Sequence, residues 1–414
     1  MRILYLAQRV PYPPDRGDKI ITFHHVRHLA RTHEVTVVCL AQDEADLDNA
    51  AALRSIASHV HAVPLSPSRA RLRACRALLQ GQPFTRGYFN ERRVHGMVEQ
   101  LIRQNAIDLA MVFCSGMAQF VESAAHLPRI LHFADLDSQK WKEYSQKARP
   151  PQRWVYAAEA QRLLAYERHL ACTFDHSFVC TASELNDFRR LAGEANITYL
   201  ANGVDLAYFR PVASNPPAAS LVFTGVMDYP PNVDGVTWFC REIFPRIREH
   251  APAATFTICG ARPNRTVREL ADLPGVTVTG RVSDVRPYLS SAAVAVVPLR
   301  ICRGIQNKVL EAMAMGLPVV ATPAAFEGIE AEPGTHLLIA QDSQAFAKRV
   351  CELIDDADAR SRLGQAARQR VELRYCWDVP LQELDAVLHS VTCHRRVSRP
   401  PAGMPIGSPS AALS

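Results

Sequence analysis

Short apolar runs alternate with segments of helical spacing from one end of this chain to the other, and the pattern occurs twice. ILYLA (3–7), VTVVCL (35–40), LAMVF (109–113), RILHFA (129–134) and HSFVCT (176–181) lie in the first half. LVFTG (221–225), TFTICG (255–260), VTVTG (276–280), AVAVVPL (293–299) and PVVAT (318–322) lie in the second. Between them, FHHVRHLA (23–30) and VTWFCREIFPRIREH (236–250) place apolar residues at helical intervals. Strand and helix alternating in this way reads as a parallel sheet covered by helices. The expected fold is α/β: two Rossmann-like, doubly wound parallel-sheet domains facing each other across a cleft.

The 414 residues are too many for one ordinary core, which also asks for two domains. The seam is visible in LANGVDLAYFRPVASNPPAAS (200–220), rich in turn formers and proline. Residues 1–211 then form the first domain and 212–377 the second. The helical pattern at 378–392 lies too far past the last strand to serve the second sheet, and is expected to cross back to the first. The end of the chain, 393–414, closes on SRPPAGMPIGSPSAALS and is expected to be disordered.

The net charge of +6 is mild. No Lys/Arg run is interleaved with aromatics at a stacking face, so no nucleic-acid partner is expected. The 11 cysteines are scattered without a CxxC pair, which argues against zinc and fits a reducing compartment. The start, MRILYLAQRVPYPPDRG, meets prolines too early for a signal peptide. No segment approaches the roughly 20 apolar residues that span a bilayer. A cytoplasmic location is the expectation.

RGIQNKVLEAMAMGLPVVAT (303–322) carries the first chemical signal. Asn307 to Met315 reads as a helix, with Gly304 before it, Gly316 at its stop and Pro318 beyond. Arg303 and Lys308 flank the helix start, where the macrodipole is already positive and a cation is mildly unfavourable. Amide donors and two cations converging there suit a phosphate; two solvated side chains are the alternative. Glycine turns after strand ends mark other points of close backbone approach: PPDRGDK with Gly17, TGVMDYPPN (224–232), CGARPN (259–264) and TGRVSDVRPYL (279–289). None is GxGxxG or GxxxxGK[ST], which disfavours a nicotinamide dinucleotide and excludes a P-loop.

The junction NGVD…F.P (202–211), the turn after Gly225, GRVSDVRPYL and GIQNKVLEAMAMGLPVVAT together resemble glycosyltransferase family 4 of the GT-B fold. The resemblance runs to about residue 392. DLDSQKWKEYS (135–145) and the GIQNK loop look closer still to sugar transferases of exopolysaccharide loci associated with the PEP-CTERM/exosortase system. The resemblance implies a retaining hexosyl transfer from a nucleotide-diphosphate sugar bound by the second domain. The acceptor, a glycan or polyprenyl-linked sugar, meets mainly the first.

Family members carry two Glu residues separated by seven intervening positions, the first eight positions before the second. Glu311 matches the second, which binds the donor ribose, but Arg303 stands where the first should be. The family's Arg and Lys after the first strand of the second domain are also missing. Lys308 and Arg303, with Arg281 as a third donor, are therefore expected to hold the diphosphate. The catalytic candidates are Lys308, Arg303, Glu311 and His132. Gly225, Met227, Gly260, Gly280, Arg281, Gly304 and Asn307 line the donor pocket. Gly17, Asp135 and Asp137 face the acceptor and the donor sugar. Asp135–Leu136–Asp137 imitates the metal-binding DxD of another fold, but neither a metal nor another cofactor is expected.

Two basic stretches stand apart. SRARLRACRALL puts Arg69, Arg73 and Arg76 on one helical face, and RPPQRWVYAAEAQRLLAYERHL interleaves Arg153 and Arg162 with aromatics. Each is open to two readings: a seat on anionic lipid of the cytoplasmic membrane, or a solvated or acceptor-lining face. Two alternatives to a transferase also remain: a sugar-nucleotide epimerase of the same architecture, and a degenerate donor-binding subunit.

Overall fold

The computed structural model describes residues 1–397 apart from positions 105, 194 and 303. Arg303 and the terminal segment 398–414 therefore lie outside the described residues.

Two parallel sheets organise the chain. In the first, β1 (Arg2–Ala7), β2 (Glu34–Ala41), β3 (His59–Pro64), β4 (Leu109–Phe113), β5 (Arg129–His132), β6 (His176–Val179) and β7 (Ile197–Tyr199) stand in the order β3-β2-β1-β4-β5-β6-β7. In the second, β8 (Ser220–Thr224), β9 (Thr255–Cys259), β10 (Val276–Gly280), β11 (Val294–Val297), β12 (Val319–Ala321) and β13 (Leu338–Ile339) stand in the order β10-β9-β8-β11-β12-β13. Both orders reverse beside the first strand of the domain, between β1 and β4 and between β8 and β11. At such a reversal the neighbouring loops part and open a crevice beyond the carboxyl ends of the strands.

The interior strands are largely apolar because helices cover both faces. Every residue of β4, β5, β6, β8, β11 and β12 is buried. The segment 236–250, expected as one helix, is helical throughout but passes from Pro230–Trp238 through a π-turn at Phe239–Ile243 into Phe244–His250. The π-turn lets Pro245 sit at the start of a fresh helical segment rather than block a continuing one.

The last helix, Asp378–Val397, runs past residue 392. Trp377, Leu381, Leu384, Leu388 and Val391 pack into the apolar cluster of Ile3, Tyr5, Val26 and Leu29 in the first domain. His24 stacks on Trp377 with ring centroids 4.3 Å apart, and His28 Nε2 meets Asp385 at 2.8 Å. This helix thus returns to the first domain, which ties the two halves at a second point besides the 200–220 connection.

Candidate active site

The second domain builds its part of the site from three glycine-dependent turns. Gly225 follows β8, and its N–H donates to Cys259 O at 3.0 Å. Gly260 follows β9 at φ +155°, and a Cβ there would collide with the Gly225 carbonyl. Gly280 ends β10 at φ +70°. Only glycine lets the first two turns lie this close. Met227 is fully buried, and its N–H and C=O are both engaged, by Ala261 O at 2.8 Å and Asn264 N–H at 3.3 Å. It shapes the turn from inside rather than presenting atoms to the cleft. Arg281 is exposed just past β10.

The helix Asn307–Ala314 follows β11, so its start lies on the crevice opposite the Gly225 turn. Its N-cap, Gln306, makes no side-chain cap, which leaves first-turn amides open. Lys308 Nζ donates to Asn232 Oδ1 at 2.8 Å and lies 5.0 Å from the centre of the Phe223 ring. Asn232 is held in turn: its Nδ2 donates to Val226 O at 2.8 Å, in space that a Cβ on Gly225 would fill. Burial lowers Lys308 to about 8, although Cys302 and Glu311 act in the opposite sense. Burial raises Glu311, one helical turn on, to about 7 against the pull of Lys308. The ammonium therefore faces the cleft with less compensating charge than its burial demands, and an anion would supply the remainder.

The first domain brings its loops to the same place. A Cβ on Gly17, at the start of the helix Gly17–Leu29, would lie 3.6 Å from Asn307 Nδ2. Gly304, at φ +67°, presses on Asp135; a Cβ there would collide with Oδ1 of that carboxylate. Asn202 Nδ2 donates to Asn307 Oδ1 at 3.3 Å. Thr181, Glu184 and Asp187 line a small crevice together with Gly304, Glu327 and Gly328 of the second domain.

Asp137 pairs with Lys140 at 3.7 Å, and its carboxyl is raised by burial, which that partner only partly offsets. Burial opposes the Lys140 charge as well, but Asp137, Tyr144 and Tyr229, the last across the cleft, outweigh it and raise the ammonium.

His132 ends β5 and has no exposed surface. Its Nδ1 accepts the Ala134 N–H at 3.0 Å, so Nε2 carries the proton. That N–H has no partner among the described residues. Burial holds the imidazole neutral, at about 3. Around it, Cys114 (φ +74°) and Ala134 (φ +62°) occupy the left-handed region that non-glycine residues avoid. Strain of this kind concentrates where surrounding structure imposes a functional geometry.

Asn202, Asn232 and Lys140 are the site residues that sequence reasoning missed. Asn202 and Asn232 stood inside the quoted motifs, but their bonds to Asn307 and Lys308 are long-range. Among the described residues, no group of three or more His, Cys, Asp or Glu could hold a metal ion.

Residues 21–203 match the family model described as glycosyl transferase 4-like domain, and residues 218–356 match glycosyl transferases group 1. A glycogen synthase of Mycobacterium tuberculosis is 28% identical over 243 residues, 54% of this chain and 56% of that protein. The chain thus spans about half the length of the curated relatives it matches. Among solved structures, a sucrose-phosphate synthase from Thermosynechococcus elongatus superposes with a TM-score of 0.72 at 17% identity, over 95% of this chain and 100% of that one. Anabaena Alr3699/HepE in complex with UDP-glucose gives 0.66 at 15%, over 94% and 100%. At these identities the solved structures speak for the fold.

Proposed function

We propose, from its matches to the glycosyl transferase 4-like and glycosyl transferases group 1 models and its GT-B fold, that this chain is a retaining glycosyltransferase. It moves a sugar from a nucleoside-diphosphate donor to a glycan or polyprenyl-linked acceptor. The observation that carries the reading is Lys308, a partly buried ammonium at an uncapped helix start, fixed by Asn232 and short of negative charge. A donor diphosphate supplies that charge.

In the reaction the bond from the anomeric carbon to the diphosphate oxygen breaks, and one to the acceptor hydroxyl oxygen forms on the same face. Negative charge grows on the leaving diphosphate, where Lys308 and the open amides meet it. The departing phosphate oxygen takes the acceptor proton, so no strong protein base is required. Glu311 receives the ribose hydroxyls. His132 offers its neutral Nε2–H to the donor sugar. Arg281 and Arg303 are further cations for the diphosphate. The cations take the place of a metal, and the reaction needs no other cofactor.

The solved Anabaena protein holds UDP-glucose, which makes UDP-linked sugars the first donors to try. A role in exopolysaccharide synthesis of the PEP-CTERM/exosortase kind rests on the resemblance of 135–145 and the GIQNK loop. A peripheral seat on the cytoplasmic membrane face rests on Leu72 and Trp154, exposed by 72% and 67% beside Arg71 and Arg153.

The test is turnover with EDTA present: UDP-, GDP-, ADP- and dTDP-sugars, each with a prenyl-linked sugar acceptor. Release of nucleoside diphosphate with a product of unchanged anomeric configuration is expected. An inverted product overturns the retaining assignment. A changed free nucleotide sugar establishes an epimerase, and binding without either reaction establishes a donor-binding subunit.

A further inference from the structure

A groove of about 860 Å³ lies in the first domain, beyond the carboxyl ends of β2 and β3. Its size is that of a small-molecule site. Three helices wall it: Pro67–Leu79, Phe84–Phe89 and Arg92–Arg103. They contribute Arg69, Arg73, Arg76, Arg86, Arg92 and Arg93 to its lining.

Two of these guanidinium groups are neutralised, Arg73 by Glu91 at 3.1 Å and Arg86 by Glu122 at 3.3 Å. The guanidinium groups of Arg69, Arg76, Arg92 and Arg93 have neither a hydrogen bond nor an ion pair among the described residues. Against them the groove sets only Asp43 and Glu44 besides the paired Glu91, and Asp43 is occupied in capping its own helix at the Asp46 N–H.

Local helix energetics make the arrangement costly without a ligand. Pro67–Leu79 contains no acidic residue to offset Arg69 and Arg76. Arg92 and Arg93 open their helix, where the dipole disfavours cations. Neither Ser66 nor Glu91 caps its helix through a side chain. Two open helix starts and four unpaired guanidinium groups thus face one concavity, and a phosphoryl group satisfies both.

We infer that this groove binds a phosphate or diphosphate group of the acceptor. The name acceptor rests on the transferase reading; the anion site does not. β3 is two strands from β1, about 10 Å at the usual strand spacing, and the groove opens on the same rim of the sheet as the donor cleft. The charged group of the acceptor is therefore held away from the reacting hydroxyl. It acts in positioning and specificity, and takes no part in bond making.

Hydrogen exchange of the full chain, read by mass spectrometry at matched ionic strength, tests this with pyrophosphate as probe. Slower exchange is expected in peptides covering 66–80 and 91–98, and none with glucose. Arg69→Ala/Arg76→Ala and, independently, Arg92→Ala/Arg93→Ala should each raise the pyrophosphate concentration needed for that protection by about tenfold or more. Farnesyl diphosphate should protect the same peptides, as an acceptor bearing its own diphosphate would. Protection by phosphatidylglycerol vesicles with none by pyrophosphate would assign the arginines to a membrane surface and overturn the inference. So would protection that survives in both double variants. A wild-type protein stabilised by a nucleoside diphosphate but unprotected here would lose the groove and keep its donor site.

Discussion

Asn202 Nδ2 reaches Asn307 Oδ1 at 3.3 Å, joining the turn after β7 to the first residue of the helix that carries Lys308. On the far side of Asn202, the Cys180 thiol reaches its Oδ1 at 3.4 Å. Asn307 is thereby gripped by the first domain while its helix belongs to the second. The position of Lys308 relative to first-domain loops depends on that grip.

Asn202→Ala removes the grip and leaves the sheets untouched. One lost hydrogen bond costs about 1 kcal/mol. Turnover should suffer more than stability, because small errors of placement are expensive in catalysis. A fall in kcat of about tenfold is expected, with the melting temperature lowered by only a few degrees. Steady-state kinetics beside a melting curve check it; unchanged kcat would make the bond purely structural.

Nucleoside-diphosphate affinity should fall as pH rises above about 8. In the empty cleft Lys308 loses its proton near that value. A bound diphosphate raises its pKa, so above about pH 8 the complex holds a proton that the free protein has shed. Linkage then weakens binding by up to about tenfold per pH unit. Calorimetric titration at several pH values checks this. Lys308→Arg, whose charge does not titrate in this range, should flatten the profile.

Gly260→Ala should damage the donor pocket severely. Its φ is +155°, and the added methyl meets the Gly225 carbonyl, which is backbone and has nowhere to move. A loss of about 3 kcal/mol or more is expected in chemical denaturation, together with loss of nucleotide binding. Gly96→Ala, on an exposed helix with open space around it, is the control and should cost nothing.

Glu167 should make the protein less stable as pH rises from about 5 to 8. It is fully buried, accepts from Ser138 N at 3.2 Å, and burial raises its pKa to about 8. Over that interval the folded state holds a proton the unfolded state has lost, so stability falls with pH, by roughly 1 kcal/mol per unit. Glu167→Gln has no charge to bury. Its advantage over the wild type should grow steadily between pH 5 and 8 in denaturation experiments.

The interior strands could be read from the sequence because burial on both faces makes them largely apolar. The strands that were missed are β3, β7 and β13, and all three are sheet edges. HVHAVP mixes histidines into β3, β7 has three residues and β13 two. An edge strand has a neighbour on one side only, so its sequence carries a weaker mark. The same limit applied at the site. Gly225, Gly260 and the start of the Asn307 helix announced themselves by local chemistry. The bonds Lys308–Asn232 and Asn202–Asn307 join residues far apart in sequence, and nothing local encodes them. Arg69, Arg73 and Arg76 could be placed on one helix face; that Arg92 and Arg93 stand opposite them follows only from the packing of three helices.

The measurement to make first is the thermal stability of the wild type and of Lys308→Met with UDP, GDP, ADP and dTDP at equal concentration. Without ligand, Lys308→Met should melt at or slightly above the wild type, since it removes an under-compensated buried charge. With ligand, one nucleoside diphosphate should stabilise the wild type by about 2.7 kcal/mol at 100 times its dissociation constant, and the variant far less. Equal stabilisation of both proteins would take Lys308 out of the phosphate site. No stabilisation of the wild type by any of the four would contradict a donor site in this cleft.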